Sequence, residues 1–145
     1  MTVFLLLAVL AGALLPVQTG INVQLRGLLG QPVAAALVSF VIGTLGLAAL
    51  VAVTRVPVTL DATWGRSAWW HWSGGLLGAV YIVGTIVLAP RLGAATLIAA
   101  LVAGQMAASL VVDHFGWVGF AEHQVTPLRL AGALLIVLGV VLVRR

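Results

Sequence analysis

The chain has 145 residues, of which 63% are hydrophobic and only 7% are charged. Its mean hydropathy of +1.24 is far too high for a soluble globular domain, so composition alone predicts an integral membrane protein. Seven arginines face three acids, but each arginine lies at or near the end of an apolar run, which indicates topology and contact with lipid phosphates rather than nucleic-acid binding.

Five apolar stretches predict five transmembrane helices in an all-α fold, at about residues 2–25, 32–54, 68–89, 92–112 and 127–143. Glycine and proline mark the breaks between them: Gly30 with Pro32, Pro57, Pro90 with Gly93, and Thr126 with Pro127. We therefore expect one five-helix domain over residues 1–145. The first stretch lacks a positive n-region and is followed by four more, so we expect a retained helix rather than a cleaved signal.

The first predicted helix ends in an unusually polar run. Gln18 and Asn22 are four residues apart and share a helix face. An amide in hydrocarbon is costly unless it is hydrogen-bonded, so this pair must meet another helix, water or a ligand. Pro16 frees a backbone carbonyl near Gly12, and broken helices often build substrate sites in transporters. We predict that Gln18 and Asn22 bind substrate; the alternative is that they only join helices.

Further polar groups lie on the third and fourth helices. Tyr81 and Thr85 are another pair at a spacing of four and could offer hydroxyls to a ligand, or simply pack. Gln105 lies near the middle of the fourth helix and can both donate and accept a hydrogen bond. A pocket that joins Gln105 to Gln18 and Asn22 would suit a polar, neutral ligand.

The fourth helix has an almost continuous face of small residues, which lets helix backbones approach closely in a bilayer. This face consists of Ala95, Ala99, Ala103, Gly104 and Ala107. We predict that it forms a dimer interface. Ordinary packing within one subunit remains the alternative.

The arginines divide almost evenly between the two sides of five spans. One side receives Arg55, Arg66 and Arg129, and the other receives Arg26, Arg91, Arg144 and Arg145. Three against four gives no usable bias under the positive-inside rule. We therefore predict dual topology and an antiparallel homodimer; the alternative is a topology that the translocon or a partner determines.

Several kinds of chemistry lack support. No predicted helix interior contains a carboxylate, lysine or histidine, and no nucleophile, phosphate-binding or metalloprotease motif occurs, so we predict no enzyme activity, cofactor or catalytic residue. The only sequence-adjacent acids and imidazoles are Asp113, His114, Glu122 and His123, a pattern more typical of a surface loop than of a metal site. Trp69, Trp70 and Trp72 around His71 indicate an interfacial aromatic belt rather than a cation site.

The order of several segments resembles the YdcZ type of the drug/metabolite transporter superfamily. These segments are Leu14–Asn22, Ser39–Gly43, Ser73–Gly78, Pro90–Ala94, Ala103–Gln105 and Asp113–Gly116. The resemblance implies a five-helix repeat, which larger relatives duplicate in one chain with inverted topology, and a location in the bacterial inner membrane. It departs from the superfamily's four-helix multidrug branch, which carries a glutamate in the first helix where this chain has amides.

Three functions follow as hypotheses. The first is a secondary transporter of a small polar or amphipathic metabolite, working as an antiparallel homodimer by alternating access. The second is a non-transporting membrane subunit or scaffold, in which the amides only hold helices together. The third is an exporter of lipophilic cations, in which Tyr81 and the tryptophans replace the missing carboxylate.

Overall fold

The structure, a computed structural model, describes residues 2–59 and 67–144. Its helices are α1 (Thr2–Leu29), α2 (Pro32–Thr54), α3 (Gly74–Leu92), α4 (Ala94–Phe115) and α5 (Pro127–Val143). Two short 3-10 turns, Trp69–Trp72 and Trp117–Gly119, precede α3 and follow α4. The described residues contain no strand, and the all-α prediction is confirmed.

Four helical segments are long and apolar enough to cross a membrane: α1, α2, Trp69–Leu92 and α4. The 17-residue α5 rises about 25 Å, near the lower limit for a bilayer core. Large apolar side chains point outward from these helices; Phe4 is 76% exposed and Leu28 is 85% exposed. Such a surface suits lipid because hydrocarbon tails are as apolar as the side chains themselves.

The helix boundaries differ from the sequence prediction at five ends. The third predicted helix continues through Pro90 to Leu92, and the fourth begins at Ala94 instead of residue 92. The first helix continues past residue 25 to Leu29 and ends where Gly30, at a φ of +74°, donates its N–H to the Arg26 carbonyl at 2.8 Å. The residues Trp69–Trp72 adopt a 3-10 turn, so α3 begins only at Gly74. Helix α4 continues beyond residue 112 to Phe115 because Gly116, in the left-handed region, is the first residue that ends it.

The described residues fall into two compact units, Met1–Pro90 and Arg91–Arg145. In the first unit α1 packs against α2. Its core consists of Ala35, Ala36 and Ile86, against which Leu25, Ile82 and Val83 pack. Two adjacent alanines at the centre of this core let α2 come close to its neighbours, as small residues do in membrane helices.

In the second unit α4 packs along α5. The connection between them returns to α4, where the His123 N–H donates to the Asp113 carbonyl at 2.7 Å. Helix α5 begins with the predicted N-cap: the Thr126 hydroxyl accepts the Arg129 N–H at 3.3 Å, and Pro127 occupies the first turn. Asp61, Arg66 and Arg145 lie outside the described residues, and the assignment of residues 1–145 to one domain stays a prediction.

Candidate functional site

A cleft of about 260 Å³ opens in the first unit between α1, α2 and α3. Its lining combines one amide, two hydroxyls and an apolar wall: Gln18, Ser39, Phe40, Gly43, Thr44, Leu47 and Ile82. A few polar groups in a mostly apolar concavity are typical of small-molecule sites. The Gln18 amide is exposed at this cleft, where a ligand can reach it.

Asn22 lies one turn beyond Gln18 on α1 and is only 2% exposed. Its side-chain nitrogen, Nδ2, has no hydrogen-bond partner among the described residues. Leaving such a donor buried and unsatisfied costs about 1–3 kcal/mol. An uncompensated group of this kind needs a reason, and a ligand that supplies an acceptor would provide one.

Thr85 and Tyr81 differ in how α3 presents them. Thr85 is 2% exposed, and its hydroxyl donates to the Ile82 carbonyl of its own helix at 2.8 Å. Tyr81 is half-buried one turn earlier. Neither residue is among those that line the Gln18 cleft. The hydroxyl proton of Thr85 is therefore already used, although its oxygen can still accept a hydrogen bond.

Arg26 makes a side-chain hydrogen bond between distant parts of the first unit, although the sequence analysis treated it only as a topology charge. Its Nη1 donates to the Ile86 carbonyl, sixty residues away, at 3.2 Å. Pro90, four residues after Ile86, has no N–H to donate to this carbonyl. The guanidinium thus satisfies a backbone acceptor that the proline leaves free.

The second unit contains Gln105, which is exposed on α4. An apolar groove of about 360 Å³ lies between α4 and α5, and Ala103 and Ala107 contribute to its α4 wall. Ala95 and Gly104 are exposed, while Ala99 is half-buried. The proposed role of these small residues in a dimer, and the meeting of Gln105 with Gln18 and Asn22, stay predictions.

The polar residues between α4 and α5 form a hydrogen-bonded cluster. Arg129 pairs with the Asp113 carboxylate and donates through Nη1 to the His123 carbonyl at 2.8 Å. The Val125 N–H donates to His114 Nδ1 at 3.3 Å. Within residues 2–59 and 67–144, no group of three or more potential ligands could hold a metal ion.

The aromatic residues before α3 form an exposed cluster. Trp69 is 78% exposed and meets Trp70 edge-to-face, with ring centroids 5.9 Å apart. The Trp72 indole N–H donates to the Ser67 hydroxyl at 3.0 Å. Exposed tryptophans at the start of an apolar helix fit the headgroup layer of a bilayer.

Sequence reasoning found Gln18 and Asn22 because amides are conspicuous in an apolar helix. It missed the cleft hydroxyls Ser39 and Thr44. They are five residues apart on α2, a spacing that does not place two side chains on one helix face, so the sequence pattern gave no signal for the pair. Sequence reasoning also missed Arg26. Here a signal was present: Arg26 continues the spacing of four from Asn22, and Pro90 predicts a free carbonyl on another helix.

These observations define an all-α, multi-pass integral membrane protein with a polar cleft between apolar helices. The chain belongs to the family described as "Putative inner membrane exporter, YdcZ", whose profile matches residues 3–142. A relative, the inner membrane protein YdcZ of Escherichia coli strain K12, is 40% identical over 82 residues. The match covers 53% of this chain and 51% of that relative, about half the length of each. No solved structure matches.

Family membership confirms the resemblance and the inner-membrane location. It also supports a membrane transporter rather than an enzyme. The family description names no substrate.

Proposed function

We propose that this protein is a secondary transporter of a small polar or amphipathic metabolite, acting as an antiparallel homodimer by alternating access. The observation that carries the proposal is Asn22, a 2%-exposed amide whose Nδ2 lacks a partner one turn from a cleft lined by Gln18. Two amides at this spacing offer donors and acceptors to a ligand inside an apolar helix pair.

A proline inside the continuous helix α1 supports the alternating-access part of the proposal. Pro16 lies inside the helix, two residues before Gln18. A proline removes one hydrogen bond from the helix ladder, and helices broken in this way form substrate sites in many transporters. The cleft amide of Gln18 therefore lies close to the proline, where a helix bends most easily.

The antiparallel dimer is supported by the even distribution of arginines over the two sides of the predicted spans. Two oppositely inserted copies would reproduce the inverted repeats that many transporters encode in one chain. In this arrangement the small residues of α4 join the subunits, and Gln105 contributes to the site.

The amide site is tested by transport in proteoliposomes. A thermal-shift screen of purified protein against metabolites, sugars, amines and organic cations identifies a ligand, because ligand binding stabilises the folded state. Gln18→Leu and Gln105→Leu are each expected to lower uptake of that ligand at least about tenfold, equal to ~1.4 kcal/mol. Insertion and dimerisation should persist.

Gln24→Leu is the matched control, because Gln24 is an exposed amide on another face of α1. It should transport as the wild type does. Full activity of both Gln18→Leu and Gln105→Leu would refute the site. A wild type that no ligand stabilises, together with a Gln18→Leu variant that unfolds more easily, would favour the scaffold hypothesis instead.

Dual topology is tested with C-terminal reporter fusions, which should give signal on both sides of the membrane. Signal on one side alone would contradict the antiparallel dimer. Ala107→Leu should weaken dimerisation in detergent because it adds bulk to the small-residue face of α4. Ala94→Leu, an exposed position on another face of α4, should leave the dimer intact.

A further inference from the structure

Arg26 is held in place by its contact with α3. Its Nη1 donates to the Ile86 carbonyl at 3.2 Å, and Ile86 itself is fully buried. The guanidinium is half-buried, and only one of its five N–H donors is used in this bond. A fixed guanidinium with donors to spare is the group that proteins use to bind carboxylate and phosphate oxygens in pairs.

Asn22 adds a second donor on the same face of α1, because it precedes Arg26 by four residues. It is 2% exposed, and its Nδ2 has no partner in the described part of the chain. Arg26 forms no ion pair among residues 2–59 and 67–144. The two side chains therefore offer N–H groups and a positive charge, which is the combination that favours a negatively charged oxygen.

The Gln18 cleft begins one helical turn before Asn22 on α1, and neither Asn22 nor Arg26 is among its lining residues. Gln18, Asn22 and Arg26 follow one another at a spacing of four residues, so they span about 12 Å along α1. The cleft offers an amide, two hydroxyls and an apolar wall. A ligand that extends along this face would place a neutral or apolar part in the cleft and a charged end near Arg26.

We propose that Arg26 and Asn22 form an oxyanion subsite, which binds a carboxylate or phosphate group. This inference rests on the proposed function insofar as the oxyanion belongs to the transported solute; a lipid headgroup phosphate offers the same chemistry. It changes the expected substrate from a neutral polar molecule to one with an anionic end.

The test measures thermal unfolding of the lipid-free protein in an uncharged detergent. The probes are butyrate, inorganic phosphate and neutral butyramide, compared at equal ionic strength. Butyrate or phosphate should raise the unfolding temperature, whereas butyramide should not. Wild-type protein in vesicles of phosphatidylcholine, with and without phosphatidylglycerol, forms the lipid arm. A response to phosphatidylglycerol alone assigns the subsite to a lipid headgroup.

Three variants test whether the stabilisation by anions depends on Arg26. Arg26→Gln should weaken the apparent affinity for the anion at least about tenfold. Arg26→Lys keeps the charge and a donor for Ile86 but loses the planar fork, so it should bind with intermediate affinity. Arg91→Gln removes an exposed arginine from the last turn of α3 and should respond as the wild type does.

Asn22→Leu separates binding from folding. Removal of a buried amide that has no partner should raise the unfolding temperature of the ligand-free protein, while the response to the anion falls. A structural role for Asn22 predicts the reverse, a lower unfolding temperature. This variant also keeps the test decisive if Arg26→Gln fails to fold because the Ile86 carbonyl loses its donor.

The oxyanion subsite is overturned if neither anion nor anionic lipid shifts the wild type, or if Arg26→Gln and Asn22→Leu respond as the wild type does. Uptake in proteoliposomes is scored separately. Neutral solutes carried equally by wild type and Arg26→Gln, without any anion response, would leave transport standing and remove the subsite. An Arg26-dependent anion response without transport of any solute would support the subsite and contradict the transport function.

Discussion

The two units of the molecule use their polar residues in different places. In Met1–Pro90 two polar side chains lie among the membrane-spanning helices: Arg26 reaches a backbone carbonyl of α3, and Asn22 is buried. In Arg91–Arg145 the ion pair of Asp113 and Arg129 lies where α4 ends and α5 begins, and the groove between these helices is apolar.

This difference separates polar groups that are free to bind a ligand from polar groups that already form hydrogen bonds within the protein. In the polar cluster of the second unit, the Arg129 guanidinium, the Asp113 carboxylate and the His114 ring each hydrogen-bond to another group of the protein. The first unit keeps a donor without a partner next to a cleft, a cost that a folding role alone does not explain. We therefore expect changes in the first unit to alter ligand binding and those in the second to alter stability.

The largest expected effect comes from filling the cleft of the first unit. A Cβ at Gly78 would lie 3.5 Å from the Phe40 ring, which is ordinary contact, so Gly78→Ala should be tolerated. The longer side chain of Gly78→Leu should push Phe40 into the cleft that it lines. Uptake in proteoliposomes should fall at least about tenfold, equal to ~1.4 kcal/mol.

Gly75→Leu is the matched control on the same helix. A Cβ at Gly75 meets nothing within 4 Å, so its side chain would extend into open space. Uptake by this variant should equal that of the wild type. If Gly78→Leu and Gly75→Leu transport equally well, the cleft is not where the solute binds, and the contrast between the two units loses its functional meaning.

An intermediate effect is expected in the second unit from Asp113→Asn. The change removes the charged partner of Arg129, whose side chain is 34% exposed against 24% for Asp113. Because a partly exposed, charge-assisted pair is screened by solvent, we expect a loss of about 1 kcal/mol in unfolding free energy. Thermal unfolding in detergent measures it, and ligand affinity should stay unchanged.

Glu122→Gln serves as the comparison, since it neutralises the neighbouring loop acid. Its effect should stay within about 0.5 kcal/mol. An equal loss in both variants would indicate a general charge effect instead of the Asp113 pair. A loss of ligand affinity in Asp113→Asn would show that the second unit also takes part in binding.

The smallest expected effect is a gain in stability. Val118 has a φ of 55° and is 81% exposed, although a β-branched residue is strained in the left-handed region. Val118→Gly relieves that strain at little loss of packing and should stabilise the second unit by about 0.5–1 kcal/mol. Val125→Gly, at a position without positive φ, should destabilise it. Thermal unfolding of both variants tests the pair, and a less stable Val118→Gly would contradict the strain.

The sequence predicted the fold well because transmembrane helices leave long apolar runs and their breaks carry glycine and proline. It also drew attention to Gln18, which lines the cleft, and to Asn22, whose Nδ2 has no partner, since amides stand out in such runs. Their role in substrate binding stays a prediction. It did not predict the contact between Arg26 and Ile86, because that bond depends on which helix faces lie together. The end of α1 at Leu29 was also missed, since Arg26 and Gly27 resemble the start of a loop.

Pro90 has a consequence that reaches another helix. A residue such as alanine at this position would return an N–H to the Ile86 carbonyl and compete with Arg26 for it. The proline on α3 therefore helps to determine the position of the Arg26 guanidinium on α1. Sequence variation at position 90 should be read together with residue 26, since a proline on one helix leaves free the carbonyl that binds the guanidinium of another.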